Sequence, residues 1–210
     1  GSDILFITLE GIDGSGKTTQ AKLLSDWLKE KYSNKEILLT YEPGGWDNGS
    51  ILREMVICGA LQHPWSEAYL FMLDRCEHIA KIIQPALDKN TIVICERYHD
   101  STLAYQVWGR GLPLKVLNSL AVESGFPVPD ITLFLDLNPD ISEQRVSNRG
   151  QLDAFESEGE EFMKRVREGY VSLAKSDFSR WITIDASLGN SDAIFKKVIY
   201  SLNQRGYFID

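Results

Sequence analysis

Residues 11–19, Gly-Ile-Asp-Gly-Ser-Gly-Lys-Thr-Thr, combine glycines with a lysine and hydroxyls in a spacing that suits phosphate binding. Glycines permit the tight, partly left-handed path that turns successive backbone N–H groups inward around an anion. In this pattern Lys17 can reach the β- and γ-phosphates, and the Thr18 hydroxyl is a natural Mg²⁺ ligand. The sequence therefore predicts a P-loop whose nucleotide-binding residues are Gly11, Ile12, Asp13, Gly14, Ser15, Gly16, Lys17, Thr18 and Thr19.

A P-loop is compatible with a GTPase, a motor ATPase or a small-molecule kinase. A GTPase is expected to carry an N-K-x-D motif for the base, which the sequence lacks. A motor is expected to end an apolar strand in adjacent acids, whereas the strand before Glu96 continues into Arg97 and Tyr98. The Glu-Arg pair indicates a second anion site facing the P-loop, as a kinase with a phosphorylated acceptor requires.

Short β-branched runs alternate with helical patterns along the chain. This alternation predicts an α/β fold of three layers, a five-stranded parallel sheet with helices on both sides. Ligands of such sheets bind at the carboxyl ends of the strands, where the motifs fall. The predicted strands are Ile4–Leu9, Glu36–Thr40, Thr91–Cys95, Ile131–Asp136 and Trp181–Ile184, and the predicted helices cover 17–31, 48–59, 66–87, 113–124, 140–148, 158–177 and 190–204.

Composition limits the class of protein. The 210 residues are predicted to form one domain, 1–210, with Gly1 and Ser2 interpreted as an expression scar. The net charge of −8 argues against a nucleic-acid surface, and no apolar run approaches the roughly 20 residues that span a membrane. Three cysteines in apolar surroundings predict buried free thiols in a reducing cytoplasm, and the three histidines show no metal-ligand spacing.

Several separated motifs resemble the thymidylate kinase family, whose members make dTDP from dTMP and ATP. Beyond the P-loop segment 6–20, which many kinases share, the specific motifs are EPGG (42–45), YLFMLDRCEHI..IIQPAL (69–87), VICERYHDSTLAYQ (93–106) and RGQLDAFE (149–156). The resemblance implies Mg²⁺-dependent transfer of the γ-phosphoryl group of ATP to dTMP in dTTP biosynthesis. It also implies a homodimer, although periodicity does not select the face.

The resemblance further implies an acceptor site. Asp13 would hydrogen-bond the 3′-hydroxyl of the sugar, Phe71 would stack on the thymine, and Arg75 would bond a carbonyl of the base. The spacing of Phe71 and Arg75, one helical turn apart, places both on one helix face. Arginine suits a phosphate clamp, a role implied for Arg53 and Arg97. The remaining expected substrate contacts are Glu42, Ser101, Thr102, Tyr105, which would exclude a 2′-hydroxyl, and Gln106.

The acid-rich stretch 149–160 resembles the mobile lid of the family, and a catalytic arginine is implied at Arg149. In one variant of the family this arginine lies in the P-loop, but the matching positions here are Gly14 and Ser15. This chain is therefore expected to belong to the lid variant, with Arg145 as an alternative. The expected catalytic residues are Lys17, Arg97 and Arg149.

The sequence departs from the family at two motif positions. The frequent Arg before Glu-Pro-Gly-Gly is Tyr41, and the usual Asp before Arg-Tyr is Glu96. Thr18 and Glu96 are predicted Mg²⁺ ligands, and Glu161 is a further candidate. Alternatives that stay open are a kinase for dUMP, dCMP or thymidine, and a nucleotide-binding switch that has lost phosphoryl transfer.

Overall fold

The computed structural model describes residues 4–142 and 158–209. Five parallel strands form one sheet in the order β2-β3-β1-β4-β5. The first, third and fourth strands are almost completely buried, as expected of apolar strands covered by helices on both faces. Their bounds are β1 Phe6–Glu10, β2 Ile37–Tyr41, β3 Ile92–Glu96, β4 Ile131–Asp136 and β5 Trp181–Asp185. This confirms the predicted fold class.

Helices cover both faces of the sheet. They are α1 Lys17–Lys31, α2 Ser50–Ile57, α3 Pro64–His78, α4 Gln84–Asp88, α5 His99–Thr102, α6 Leu114–Glu123, α7 Glu160–Ser176 and α8 Ser191–Gln204, with π-helical segments at Ile79–Ile83 and Leu103–Gly109. The predicted helix at 66–87 is thus α3, the first π segment and α4 in succession. Every helix in the described part of the chain is too short or too polar to span a membrane.

Two expectations about local structure are wrong. Residues 99–109, for which no helix was predicted, form α5 and the second π segment. Cys58 and Cys76 are exposed, and only Cys95 is a buried thiol, although all three cysteines are free as predicted. Most of the predicted helix at 140–148 lies outside the described residues.

The packing of the unpredicted helix explains why it forms. A Cβ atom at Gly169 of α7 would lie 2.9 Å from the Trp108 side chain, and one at Gly109 would lie 2.6 Å from Phe162. The two helices therefore approach so closely that each needs a glycine at the contact. Tertiary contact with α7, rather than local propensity, stabilises residues 99–109 as a helix.

Candidate active site

The P-loop lies between β1 and α1 at the carboxyl edge of the sheet. Gly11, Gly14 and Gly16 have φ values of 147°, 81° and 93°, the region that favours glycine. A Cβ atom at Gly11 would lie 2.7 Å from the carbonyl oxygen of Leu135 on β4. The glycines thus allow the loop to turn tightly against the sheet and to begin α1 at Lys17, which directs the positive end of the helix towards the loop.

Lys17 is only 4% exposed and folds back onto the loop. Its Nζ atom donates to the carbonyl oxygen of Ile12 at 2.9 Å and to Ser15 Oγ at 3.5 Å. Burial, and next the positive charge of Arg97, lower the pKa of Lys17 to about 8. An anion bound near both cations would stabilise their charged forms in this desolvated site.

Thr18 and Glu96 meet at the start of α1 and the end of β3. The Thr18 hydroxyl donates to Glu96 Oε1 at 2.7 Å. The sequence placed these two residues together as metal ligands, and the structure brings them within contact of each other. Hydroxyl and carboxylate oxygens are the donors that Mg²⁺ prefers, so the pair fits this ion.

Arg97 connects the P-loop to a neighbouring cleft. Its Nη2 atom donates to Asp13 Oδ1 at 2.9 Å and to the Tyr105 hydroxyl at 3.3 Å, and Nη1 donates to Ser101 Oγ at 3.3 Å and to the Tyr170 hydroxyl at 3.4 Å. The backbone φ of Arg97 is 68°, an uncommon value for a residue with a side chain. Such a conformation persists where the surrounding structure imposes it, and it is typical of functional sites.

One cleft collects most of the predicted acceptor residues, and we call it the Phe71 cleft. Its wall contains Pro43, Val56, Phe71, Arg97, Ser101, Thr102, Tyr105 and Gln106. Phe71 comes from α3, whereas the last five come from the segment that follows β3 and includes α5 and the second π segment. Their common location follows from the unpredicted helix, which turns Tyr105 and Gln106 towards α3.

Buried polar atoms without partners lie in the wall of the Phe71 cleft. Gln106 is 0% exposed, and neither atom of its side-chain amide has a hydrogen-bond partner among the described residues. The Thr102 hydroxyl is likewise buried and unpaired within that part of the chain. An unpaired buried amide costs free energy, and Gln106 lies in the wall of the cleft. Its predicted contact with the base stays a prediction.

Arg75 and Glu42 do not contribute to the cleft wall. Arg75 is 1% exposed, and its Nε atom donates to Glu42 Oε1 at 2.8 Å while Nη2 donates to the Tyr98 carbonyl at 3.0 Å. His78 Nδ1 lies 2.8 Å from the other oxygen of Glu42. The predicted substrate contacts of Arg75 and Glu42 stay predictions. Side-chain atoms of Glu42, His78 and Cys95 that could bind a metal ion lie within 4.8 Å of one another, a grouping that sequence spacing did not reveal. The Arg75 guanidinium, bound to Glu42, already provides a positive charge there.

Arg53 lies at the edge of the cleft. Its Nη1 atom donates to the carbonyl oxygen of Pro43, a wall residue, at 3.1 Å. Its guanidinium lies over the Tyr41 ring, 5.4 Å from the ring centroid. Tyr41, which stands where the family often has an arginine, therefore contacts Arg53, the residue predicted to bind the dTMP phosphate.

Two residues of the site were not found from the sequence. Glu10 is 0% exposed at the end of β1, and Tyr170 is 0% exposed on α7; the Tyr170 hydroxyl donates to Glu10 Oε2 at 2.9 Å. For Glu10, the only signal in the sequence is its position, a carboxylate between an apolar strand and the P-loop. Tyr170 was indistinguishable from the other apolar positions of an amphipathic helix.

The predicted lid can be placed only in part. Arg145 and Arg149 lie outside the described residues, as does the lid up to residue 157. Glu161 is exposed in the first turn of α7, with one carboxylate oxygen 3.9 Å from Lys164 Nζ. The roles of these residues stay predictions.

Comparison with known proteins agrees with this geometry. The family model described as "Thymidylate kinase" matches residues 9–197. The chain is 44% identical over 190 residues to "Thymidylate kinase" of Nitrosospira multiformis, covering 89% of this chain and 91% of that protein. It is 47% identical over 175 residues to "Probable thymidylate kinase" of Pyrococcus horikoshii, with coverage of 81% and 82%.

A solved structure gives the same result at the level of the fold. The crystal structure of thymidylate kinase from Ehrlichia chaffeensis superimposes with a TM-score of 0.78 at 34% identity, covering 94% of this chain and 98% of that chain. The family model, the relatives and the structure agree over nearly the whole chain. The chain belongs to the thymidylate kinase family.

Proposed function

We propose that the protein transfers the γ-phosphoryl group of ATP to dTMP, giving ADP and dTDP for dTTP biosynthesis. The observation that carries the proposal is the Asp13–Arg97 ion pair of 2.9 Å, which joins the P-loop to the Phe71 cleft. A phosphate bound at Arg97 in the cleft would lie next to the γ-phosphate of a nucleotide bound by the loop. This is the arrangement that direct transfer between two phosphates requires.

The donor site is formed by the P-loop with Lys17, Thr18 and Glu96. Backbone N–H groups of the loop and the Lys17 ammonium would bind the phosphates of ATP. Thr18 and Glu96 would hold Mg²⁺, directly or through water. When bound, Mg²⁺ would neutralise part of the charge on the phosphate oxygens.

The acceptor site is the Phe71 cleft. Phe71 offers a ring for the thymine, and the Gln106 amide can pair with the base N–H and an adjacent carbonyl. Arg75 would add selectivity, because a guanidinium only donates hydrogen bonds and therefore favours a carbonyl over the amino group of cytosine. Its Nη1 atom contacts the Met72 sulfur at 3.9 Å, a weak acceptor that a base carbonyl could replace. Tyr105 would exclude a 2′-hydroxyl, and Asp13 would bind the 3′-hydroxyl.

In the reaction, an oxygen of the dTMP phosphate attacks the γ-phosphorus of ATP. The new P–O bond forms as the bond to the bridging oxygen of ADP breaks, and the bonding electrons leave with ADP. The attacking oxygen is already anionic near neutral pH, so the protein needs no strong base. Its tasks are to hold two polyanions in line and to stabilise the charge during transfer.

The lid completes the site in this proposal. The whole chain acts as one kinase domain in which residues 149–160 close over the phosphates. Closure brings Arg149 to the transferred group and excludes water, so that ATP is not merely hydrolysed. The proposal is supported by the absence of an arginine at Gly14 and Ser15 of the P-loop.

The reaction is tested by measuring ADP release with ATP, Mg²⁺ and a panel of acceptors. We expect rapid release with dTMP, slower release with dUMP, and little with dCMP or thymidine. Gln106→Leu should raise the KM for dTMP roughly tenfold, because it removes a hydrogen-bonding pair. The same variant should melt no lower than the wild type, because it also removes a buried, unpaired amide. ATP binding without dTDP formation would instead favour a nucleotide-binding switch, and faster turnover of thymidine would favour a nucleoside kinase.

We also propose that the protein forms a homodimer through α3 and α6. Both helices pack on the buried cluster around Ala68 and Leu117, and each exposes large apolar side chains. These are Tyr69 (60% exposed) and Leu73 (51%) on α3, and Val116 (44%) and Val122 (77%) on α6. A second copy packed against both helices would cover these side chains.

Replacement of Leu73 by glutamate should convert the dimer to a monomer, because it inserts a charge into an apolar interface. Light scattering coupled to gel filtration measures the mass directly. Leu188→Glu, also at an exposed leucine (59% exposed) but in the loop after β5, is the matched control and should stay dimeric. A Leu73→Glu protein of unchanged dimeric mass would exclude this face.

The free thiols, two of them exposed, support a reducing cytoplasm as the location of the protein.

A further inference from the structure

The carboxylate of Glu10 is the acceptor of three hydrogen bonds beneath the proposed phosphate site. Oε1 accepts the backbone N–H of Tyr98 at 2.7 Å, and Oε2 accepts the hydroxyls of Ser101 at 2.5 Å and Tyr170 at 2.9 Å. The donors come from two different elements, the helical stretch after β3 and α7. Glu10 itself is completely buried and does not line the Phe71 cleft.

The two hydroxyls connect Glu10 to Arg97. Ser101 Oγ lies 3.3 Å from Arg97 Nη1, and the Tyr170 hydroxyl oxygen lies 3.4 Å from the same atom. A hydroxyl that donates its proton to Glu10 directs its oxygen lone pairs elsewhere, and here they face a guanidinium that can only donate. The direction of both hydroxyl protons therefore decides whether Arg97 is attracted or repelled.

We propose that Glu10 is a positioning residue for phosphoryl transfer: its carboxylate holds the Ser101 and Tyr170 hydroxyls in the orientation that fixes Arg97 for the acceptor phosphate. This inference rests on the proposed role of Arg97 and adds a residue that never touches the substrate. The glutamate immediately before the P-loop thus acts on the acceptor phosphate through Arg97.

Only a carboxylate satisfies all three donors. An amide in the same place has one oxygen and one NH₂ group. If its oxygen faces the two hydroxyls, the NH₂ group faces the Tyr98 N–H, and two donors collide. If the amide is reversed, the NH₂ group faces the hydroxyls, which can then no longer donate to residue 10. Ser101 Oγ and the Tyr170 hydroxyl lie 3.0 Å apart, so one can donate to the other, but the second hydroxyl then turns its proton towards Arg97. A protonated carboxyl has the same defect, because one oxygen carries a proton.

Glu10 changes its charge state near neutral pH. Burial, followed by the negative charge of Asp100, raises the pKa of Glu10 to about 7, against the opposing effects of Ser101, Arg97 and Tyr98. The carboxylate is therefore the major form above that pH and the protonated form is the major one below it. Other titratable groups that interact with Glu10 come from the surrounding elements and are Lys17, Cys95, Tyr170 and Arg180.

The test is the isosteric variant Glu10→Gln, with the KM for dTMP, the KM for ATP and kcat measured at pH 6, 7 and 8. At pH 8 we expect the KM for dTMP to rise about tenfold, with kcat and the KM for ATP changed less than about threefold. At pH 6 the wild type is itself mostly protonated at Glu10, so the two proteins should converge. The ionisation of dTMP affects both proteins equally and cancels in the comparison.

Controls separate positioning from a general loss of stability. Thr8→Val removes another buried hydrogen bond from β1, the 2.8 Å contact with Thr132, and should lower the melting temperature without changing the KM for dTMP at any pH. Tyr170→Phe interrupts the same connection to Arg97 and serves if Glu10→Gln fails to fold. It should raise the KM for dTMP by itself, and a further Glu10→Gln change should then add less than it does alone.

Three outcomes would overturn the inference: an unchanged KM for dTMP in Glu10→Gln, an equal increase at pH 6 and pH 8, or full additivity with Tyr170→Phe. Arg97→Ala distinguishes a failure of the Glu10 inference from a failure of the proposed acceptor site. If Arg97→Ala raises the KM for dTMP and Glu10→Gln does not, the role of Glu10 alone is excluded. If Arg97→Ala also leaves this KM unchanged, the proposed acceptor site is wrong.

Discussion

Arg97→Ala is expected to raise the KM for dTMP about a hundredfold and to leave the KM for ATP nearly unchanged. A hydrogen bond to a charged group contributes about 1.5–3 kcal/mol, and a factor of ten in affinity corresponds to about 1.4 kcal/mol. Loss of a guanidinium that binds the phosphate through two N–H groups therefore removes about 3 kcal/mol. Steady-state kinetics with dTMP and ATP varied separately measures both constants.

Arg97→Lys should recover only part of the loss, because an ammonium keeps the charge but not the two-pronged geometry. The matched control is Arg205→Ala. Arg205 also donates from both Nη atoms, to the carbonyls of Phe178 and Trp181 at 2.7 and 2.9 Å, but far along the chain from the cleft residues. Its removal should not change the KM for dTMP. An equal effect of both arginines on this KM would show that the loss at Arg97 is structural.

Arg149→Ala is expected to lower kcat about a thousandfold while the KM for dTMP stays within a few-fold of normal. Arginines that stabilise the transferred group in phosphoryl transfer contribute about 10³–10⁵ in rate. Because the contact forms mainly in the transition state, its loss lowers kcat rather than ground-state affinity. Single-turnover measurement of dTDP formation, with enzyme in excess, separates the transfer step from product release.

Arg145→Ala is the comparison for the lid. It removes an arginine only four positions away, so both variants change the net charge of the segment equally. We expect a much smaller loss of kcat for Arg145→Ala. A fall of less than about tenfold for Arg149→Ala would contradict the lid assignment, and a steep fall for Arg145→Ala alone would move the catalytic role to that residue.

The sequence was sufficient where the determinants are local. The P-loop depends on glycine positions and on the helix that follows, and the structure shows both as predicted. Four predicted strands end one residue early, at Leu9, Thr40, Cys95 and Ile184. The next residues, Glu10, Tyr41, Glu96 and Asp185, still belong to the strands, because backbone pairing in a parallel sheet extends beyond the apolar side chains. The site begins at two of these polar strand ends, Glu10 and Glu96.

The sequence was insufficient where distant segments meet. Glu10 and Tyr170 are 160 positions apart, and no periodicity connects them. Arg75 shares a helix face with Phe71, as predicted, but the buried carboxylate of Glu42 binds its guanidinium. The helix at 99–109 depends on its contact with α7. Such arrangements are set by tertiary packing, which a local pattern does not encode.

The central claim is that two phosphate sites lie so close that one phosphoryl group passes directly between them. The most direct test is a crystal structure with dTMP, Mg²⁺ and a non-hydrolysable ATP analogue. We predict the thymine against Phe71 and Gln106, the dTMP phosphate on Arg97, and one of its oxygens directed at the γ-phosphorus of the analogue in the P-loop. A dTMP molecule bound outside the Phe71 cleft, or with its phosphate directed away from the P-loop, would contradict the account.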